Sequence, residues 1–346
     1  MEQIRVLVVD DSAFMRKIIT EMLSSDPQIA VIDTARNGIE GVEKAMALTP
    51  DVITMDIEMP GMNGLEAIDE IMKRKHIPII VFSSLSSEGA QVTLEALDKG
   101  AADYVCKNIS RSVLDVMHMK EELIKKVKAV AHKPRSNGKD TLLLGGKNIG
   151  SIVEHHGKIE LITIGASTGG PKALQEILPA IPSNIDSAII ITIHMPPDFT
   201  KAFADRLDRV CKIPVKEAED GEKIRAGNVL VSPGGMHTKI RKNGLAGGYV
   251  KIDREPEDAI YKPSIDITMQ TAAECYGEHV LGVILTGMGH DGTEGIRAIK
   301  KSGGLAVVQD ESTCTVYGMP RSVVEAGLAD RVVPLDRIPQ EIIRLV

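Results

Sequence analysis

The chain has 346 residues and no tryptophan, and Phe, Tyr and Trp together make up only 3% of it. So small an aromatic share argues against an aromatic-lined recognition surface. Four cysteines, Cys106, Cys211, Cys275 and Cys314, lie far apart with no close metal-type spacing. They read as scattered thiols, not as a disulfide frame or a zinc knuckle. No apolar run approaches the roughly 18 uninterrupted residues of a membrane span. A basic excess is lacking too, since the formal net charge is -7. Proteins that grip a phosphate backbone show basic clusters. The one modest cluster, Lys120 to Arg135, reads as a solvated helix face running into a linker. The opening MEQIRVLVVDD carries Glu2 and Arg5 and passes straight into a strand, which is not a signal-peptide pattern.

What is present is an alternation of short apolar runs with helical patterns. IRVLVV (4–9), AVIDTA (30–35), DVITMD (51–56), PIIVFS (78–83) and ADYVCK (102–107) read as strands, each followed by a helical pattern, the last over 112–130. Such an order predicts a five-stranded parallel sheet, (βα)5, covered on both faces. A stretch rich in Pro, Gly, Ser, Asn and Lys follows, with Leu142 to Leu144 as an apolar island that reads as a docked segment. From Ile159 a second α/β unit is expected, with strands at 158–165, 187–194, 278–287 and 304–310. This unit reads as mostly parallel and doubly wound. Short strands at 228–232, 239–242 and 249–253, parted by Gly-rich turns such as Lys242-Asn243-Gly244, suggest a small antiparallel insertion. The expected domains are 1–125, a linker at 126–157, and 158–346.

In open parallel sheets ligands bind beyond the carboxyl ends of the strands. Those ends in the first unit carry Asp10 and Asp11, then Asp56, then Ser83 and Ser84, then Lys107. Carboxylates from two strands repel one another unless a cation sits among them, and hard oxygen ligands with open positions suit Mg²⁺. A lysine and a hydroxyl beside them suggest a site that handles a phosphoryl group. Asp11 or Ser12 could instead simply cap the helix that follows.

These residues carry a resemblance. VVDDSAFMR (8–16), MDIEMPGMNG (55–64), Ser83-Ser84 and Lys107 resemble the receiver domain of two-component response regulators. The resemblance implies that Asp56 accepts a phosphoryl group from a histidine kinase. It also implies that Asp10, Asp11, Asp56 and the backbone carbonyl of Glu58 hold Mg²⁺. Ser83 corresponds to the hydroxyl that reorients, Lys107 to the phosphate-contacting lysine and Tyr104 to the switching aromatic. One departure is Asn108, where the family usually has proline.

In the second unit LITIGASTGGP (161–171) runs a strand into a glycine-rich bend and a helix opened by Pro171. Proline suits the first helical position, and the glycines leave access to Ser167. The bend alone fits a nucleophile, an anion site at a helix N-terminus, or a structural turn. Nearby strand ends bring His194, before Met-Pro-Pro, and Asp291, within TGMGHDG. A histidine near a serine can take its proton, and a carboxylate behind it fixes the tautomer. His237 and His290 are rival bases, Asp310 is a rival orienter, and His155 and His156 fall in the linker.

GASTGGP, HMPP with Phe199-Thr200, SPGG with His237, and LTGMGHDG resemble the catalytic domain of protein-glutamate methylesterases of bacterial chemotaxis. Receiver, linker and esterase occur in that order in the family. The resemblance implies Ser167 as nucleophile, His194 as general base and then acid, and Asp291 as its orienter. Met288 is implied as an oxyanion-hole position, with Thr168 at its rim. It further implies methyl-accepting chemoreceptors as substrates, receptor glutamine deamidation, no metal in the esterase site, and a cytoplasmic location at receptor arrays. The unphosphorylated receiver would then cover the active-site mouth and phosphorylation would release it. A DNA-binding response regulator would instead need a helix-turn-helix and a basic surface after the first domain. A non-enzymatic binding module would keep its function without Ser167.

Overall fold

The computed structural model describes residues 3–107, 113–131, 157–242 and 248–346. Asn108, the leucines 142–144, His155 and His156, and the turn residues Asn243 and Gly244 lie outside the described residues. The chain divides into two compact units, Met1–Pro134 and Arg135–Val346.

In the first unit the strands are β1 (Ile4–Val9), β2 (Ile29–Ala35), β3 (Val52–Asp56), β4 (Ile79–Ser83) and β5 (Asp103–Cys106). They form one parallel sheet in the order β2-β1-β3-β4-β5, as the alternating pattern predicts. Helices α1 (Ala13–Ser24), α2 (Gly38–Leu48), α3 (Gly64–Arg74), α4 (Ser87–Asp98) and α5 (Val113–Ala131) connect and follow them. β3 and β4 are buried along their whole length, because helices cover both faces of the central strands. Ser12 caps α1, its hydroxyl accepting from Met15 N at 3.3 Å. The cap is therefore the serine, and Asp11 is left exposed beside it. α3 begins with a capping box made by Asn63 and Glu66. Gly64 at its start lets the helix approach β3, since a Cβ there would sit 2.2 Å from the Asp56 carbonyl oxygen.

The second unit is built on a seven-stranded parallel sheet of order β14-β13-β12-β6-β7-β9-β8. At its centre are β6 (Leu161–Ala166), β7 (Ala188–Ile193) and β12 (Val280–Ile284), all fully buried. β13 (Leu305–Gln309) lies beyond β12. The short strand β9 (Val229–Val231) pairs in parallel with β7 and with β8 (Val215–Glu217). This corrects the expectation for 228–232: the segment belongs to the main sheet. The antiparallel part is only β10 (His237–Lys242) with β11 (Gly248–Asp253), a separate two-stranded sheet. β8, β14 (Arg331–Val333) and the C-terminal helix α11 (Ile338–Leu345) are further elements that the apolar pattern did not mark. The other helices are α6 (Gly170–Ile177), α7 (Pro197–Val210), α8 (Ile265–Tyr276), α9 (Thr293–Lys301) and α10 (Met319–Glu325). Among the described residues no helix is long and apolar enough to cross a membrane.

Candidate active site and acidic cluster

β6 lies between β12 and β7, so the segments leaving their carboxyl ends are neighbours. Ser167 follows β6, His194 follows β7, and Asp291 sits in the loop between β12 and α9. The structure joins all three. His194 Nδ1 is 3.2 Å from Ser167 Oγ, and His194 Nε2 is 2.8 Å from Asp291 Oδ2. With the hydrogen on Nε2 donated to the carboxylate, Nδ1 is left to accept from the serine. The two nitrogens thus exchange the places they hold in the common Ser-His-Asp template.

The bend is held from both sides. Ser167 N donates to the Thr286 carbonyl at 3.1 Å, and Thr286 Oγ1 donates to the Thr168 carbonyl at 2.9 Å. Gly169 has φ +77°, and a Cβ there would strike the Thr315 hydroxyl at 2.4 Å. Glycine is therefore required where the chain turns into α6. Pro171 lies in the first turn of that helix, as expected from its fixed φ.

Asp291 is 6% exposed and receives several hydrogen bonds. Ser264 Oγ donates to it at 3.1 Å, Ile265 N at 2.8 Å and Asp266 N at 3.0 Å. Burial alone would push its carboxyl up. The hydrogen bond and charge of His194, with the backbone N–H groups, outweigh that and hold it down at about 2. Next to it Asp266 accepts from Gly292 N at 2.8 Å and Gly295 N at 2.7 Å. Burial, with repulsion from Asp291, pushes Asp266 up to about 6, against the pull of those two N–H groups.

Thr168 follows the serine in the chain, and Met288 stands in the loop between β12 and α9. Gly287, just before Met288, packs on Ser167, since a Cβ at Gly287 would come within 2.8 Å of Ser167 Cβ. Thr168 is buried and Met288 half-buried. Two of the rival residues, His237 and Asp310, are engaged elsewhere. His237 is buried between the Pro256 carbonyl and Ser264 N, each at 3.3 Å, and burial lowers its imidazole below the usual range. His290 is exposed. Asp310 caps a short 3₁₀ turn, accepting from Thr313 N at 3.2 Å.

In the first unit Asp10, Asp11 and Asp56 offer carboxylate oxygens that all lie within 4.8 Å of one another. Lys107 Nζ is 2.7 Å from Asp56 Oδ2 and 3.4 Å from Asp10 Oδ2. Asp10 is fully buried, and its Oδ2, 3.4 Å from the Lys107 ammonium, has no well-aligned hydrogen bond. Burial raises its carboxyl first, and repulsion by Asp56 adds to that, partly offset by Lys107. A buried oxygen without a well-aligned hydrogen bond, in a group of three carboxylates, fits a hard divalent cation. Glu58 is exposed, and its N–H donates to Asp56 Oδ1 at 3.4 Å.

Ser83 turns toward α4. Its hydroxyl donates to the Ser84 and Gly89 carbonyls, each at 3.2 Å, and accepts a short hydrogen bond from Thr93. Tyr104 is buried, and its carbonyl accepts from Lys126 Nζ at 2.6 Å. That ammonium also lies 4.9 Å from the Tyr104 ring centroid. Neither Thr93 nor Lys126 belongs to a motif; both come from helices whose faces the sequence marks only as half-apolar.

Fold and sites together define a class: a response regulator whose second unit is an α/β hydrolytic enzyme. The comparisons with known proteins agree. The family described as response regulator receiver domain matches residues 6–118, and that described as CheB methylesterase matches residues 162–342. A protein-glutamate methylesterase/protein-glutamine glutaminase of Pyrococcus abyssi is 42% identical, over 99% of this chain and 94% of its own length. Another of that name from Carboxydothermus hydrogenoformans is 45% identical over the full length of both. The crystal structure of the Thermotoga maritima CheB methylesterase catalytic domain is 42% identical, with a TM-score of 0.53 over 54% of this chain and 98% of that one. This chain belongs to the CheB methylesterase family.

Proposed function

We propose that this protein removes methyl groups from glutamate side chains of methyl-accepting chemoreceptors, deamidates receptor glutamines, and is activated by phosphorylation of Asp56. The observation that carries the reading is the hydrogen-bonded series Ser167–His194–Asp291 at three neighbouring strand ends. Both reactions are acyl transfers. Ser167 Oγ attacks the γ-carbonyl carbon while His194 Nδ1 takes its proton and passes it to the leaving methanol or ammonia. Water, deprotonated by the same nitrogen, then releases the glutamate and restores the serine. Asp291 holds the Nε2 hydrogen in place and balances the positive imidazolium. The backbone N–H of Met288, with Thr168 at the rim, is assigned to the tetrahedral oxyanion. Loss of one such donor costs on the order of 100-fold in turnover. No residue of this series requires a metal.

In the first unit Asp56 is the phosphoryl acceptor, with a chemotaxis histidine kinase as donor. Asp10, Asp11, Asp56 and the Glu58 carbonyl would hold Mg²⁺, which supplies charge neutralisation when bound. Lys107 pairs with the phosphoryl oxygens, and Ser83 leaves its partners on α4 to meet them, with Tyr104 following. The domains assigned to these roles are 1–125 and 158–346, joined by 126–157. Inhibition by the unphosphorylated receiver is relieved on phosphorylation. A protein with these substrates works in the cytoplasm, at receptor arrays.

The test is methanol release from methylated receptors by the full chain, with and without a small-molecule phosphodonor and Mg²⁺. The wild-type rate rises with the donor, Asp56→Asn stays at the basal rate, and Ser167→Ala falls by about 1,000-fold or more. Turnover by Ser167→Ala at the wild-type rate would overturn the nucleophile assignment. A donor response that survives Asp56→Asn would overturn the switch.

A further inference from the structure

Tyr261 belongs to no motif in the chain, yet its ring lies against that of His194. The two rings are stacked, with centroids 4.2 Å apart and planes 6° from parallel. Tyr261 stands just before α8, in the stretch that brings Ser264, Ile265 and Asp266 to Asp291. Its hydroxyl reaches the turn after Met288, since a Cβ on Gly289 would come within 3.2 Å of it. The phenol therefore spans from the imidazole face to the loop between β12 and α9. It is half-buried, and burial, with the nearby charge of Asp291, pushes it above its usual range, so the ring is neutral.

The hydrogen bonds of His194 fix the ring's two nitrogens, but they lie in the ring plane. A stacked partner closes one face and removes the remaining freedom to tilt. It also acts on charge. The negative face of an aromatic ring attracts a cation above it, so the stack favours the imidazolium that forms when the serine proton moves. Around His194 lie Ser167 and Asp291 at its edges, Tyr261 on its face, and Asp266 behind Asp291.

We infer that Tyr261 is a positioning residue for His194, holding the imidazole plane and stabilising its protonated form during acyl transfer. This rests on the reading of His194 as the general base. The aromatic ring, not the hydroxyl, carries the effect.

The experiment measures kcat and KM for methanol release by the full chain, beside thermal unfolding of each variant. Tyr261→Leu keeps an apolar cover without a π face, and it should lower kcat about 10-fold with KM within about two-fold. Tyr261→Phe should recover kcat to within about three-fold of wild type. Should the leucine variant fail to unfold cooperatively, Tyr261→Met supplies the same comparison with a more adaptable side chain. Unchanged kcat in the non-aromatic variants overturns the inference. So does a rise confined to KM, or a phenylalanine variant as impaired as the leucine one. His194→Ala separates the base from its positioning: a wild-type rate there defeats the general base itself. If His194→Ala is impaired, adding Tyr261→Leu should lower its residual rate no further.

Discussion

Asp291 and Asp266 cap each other's helices. Asp291, two residues before α9, accepts from the N–H groups of Ile265 and Asp266 that open α8. Asp266, in the first turn of α8, accepts from the N–H groups of Gly292 and Gly295 that open α9. Each carboxylate satisfies donors that a helix start leaves unpaired. The carboxylate facing His194 is thereby built into the helix pair, and its position does not depend on the loop alone.

Removing one half of this exchange should cost both stability and rate. Asp266→Ala is expected to lower the unfolding free energy by about 1 kcal/mol, the usual worth of a cap. It should also lower kcat, because Asp291 loses the helix that anchors its loop. Denaturant unfolding of the full chain and methanol release check the two effects. Asp266→Asn, which retains an acceptor oxygen, should restore most of both.

The pair also sets a pH dependence of opposite sign at its two ends. Asp291 is held at about 2 in the folded protein, below its ordinary 3.8. Its contribution to stability is full above about pH 4 and is lost as pH falls toward 2. Asp266 is raised to about 6, so the unfolded chain gives up that proton first. Its contribution is full below about pH 4 and is lost as pH rises through 6. Asp266→Asn removes the second trend. Relative to wild type it should gain on the order of 2 kcal/mol between pH 4 and pH 7. Unfolding free energies of both proteins at the two pH values measure this gain, and equal differences at the two would contradict it.

Magnesium should stabilise the first unit. A ligand that binds the folded form alone adds about 1.4 kcal/mol at a free concentration ten times its dissociation constant. Titrating Mg²⁺ while following the unfolding transition of the first unit should raise its midpoint. Asp11→Ala removes an exposed carboxylate of the cluster and should shrink that rise without unfolding the apo protein.

Much of this was legible in the sequence because the sites sit where strands end. Asp10, Asp56 and Lys107 each follow or end an apolar run, and so do Ser167 and His194. A strand end in a parallel sheet is a definite place, so residue type and position together narrow the chemistry. What escaped depends on contacts between segments distant in the chain. β9 has three residues between turn signals, a pattern shared by a hairpin strand, and only its pairing with β7 and β8 places it in the main sheet. β8 and β14 are equally short, and β14 is half-exposed throughout. Asp266 looks like an ordinary acid in a helix's first turn, and its second helix lies more than twenty residues away. Tyr261 lies in the stretch between β11 and α8, where no periodicity says which way a side chain faces.

The central claim is that Ser167 is the nucleophile, and covalent labelling tests it most directly. The full chain is treated with a serine-directed fluorophosphonate, and the labelled residue is located by peptide mass spectrometry. One label should appear on the peptide containing Ser167, vanish in Ser167→Ala, and form at least about 100-fold more slowly in His194→Gln. Labelling of another residue, or none at Ser167 in a folded protein that still releases methanol, would contradict the account.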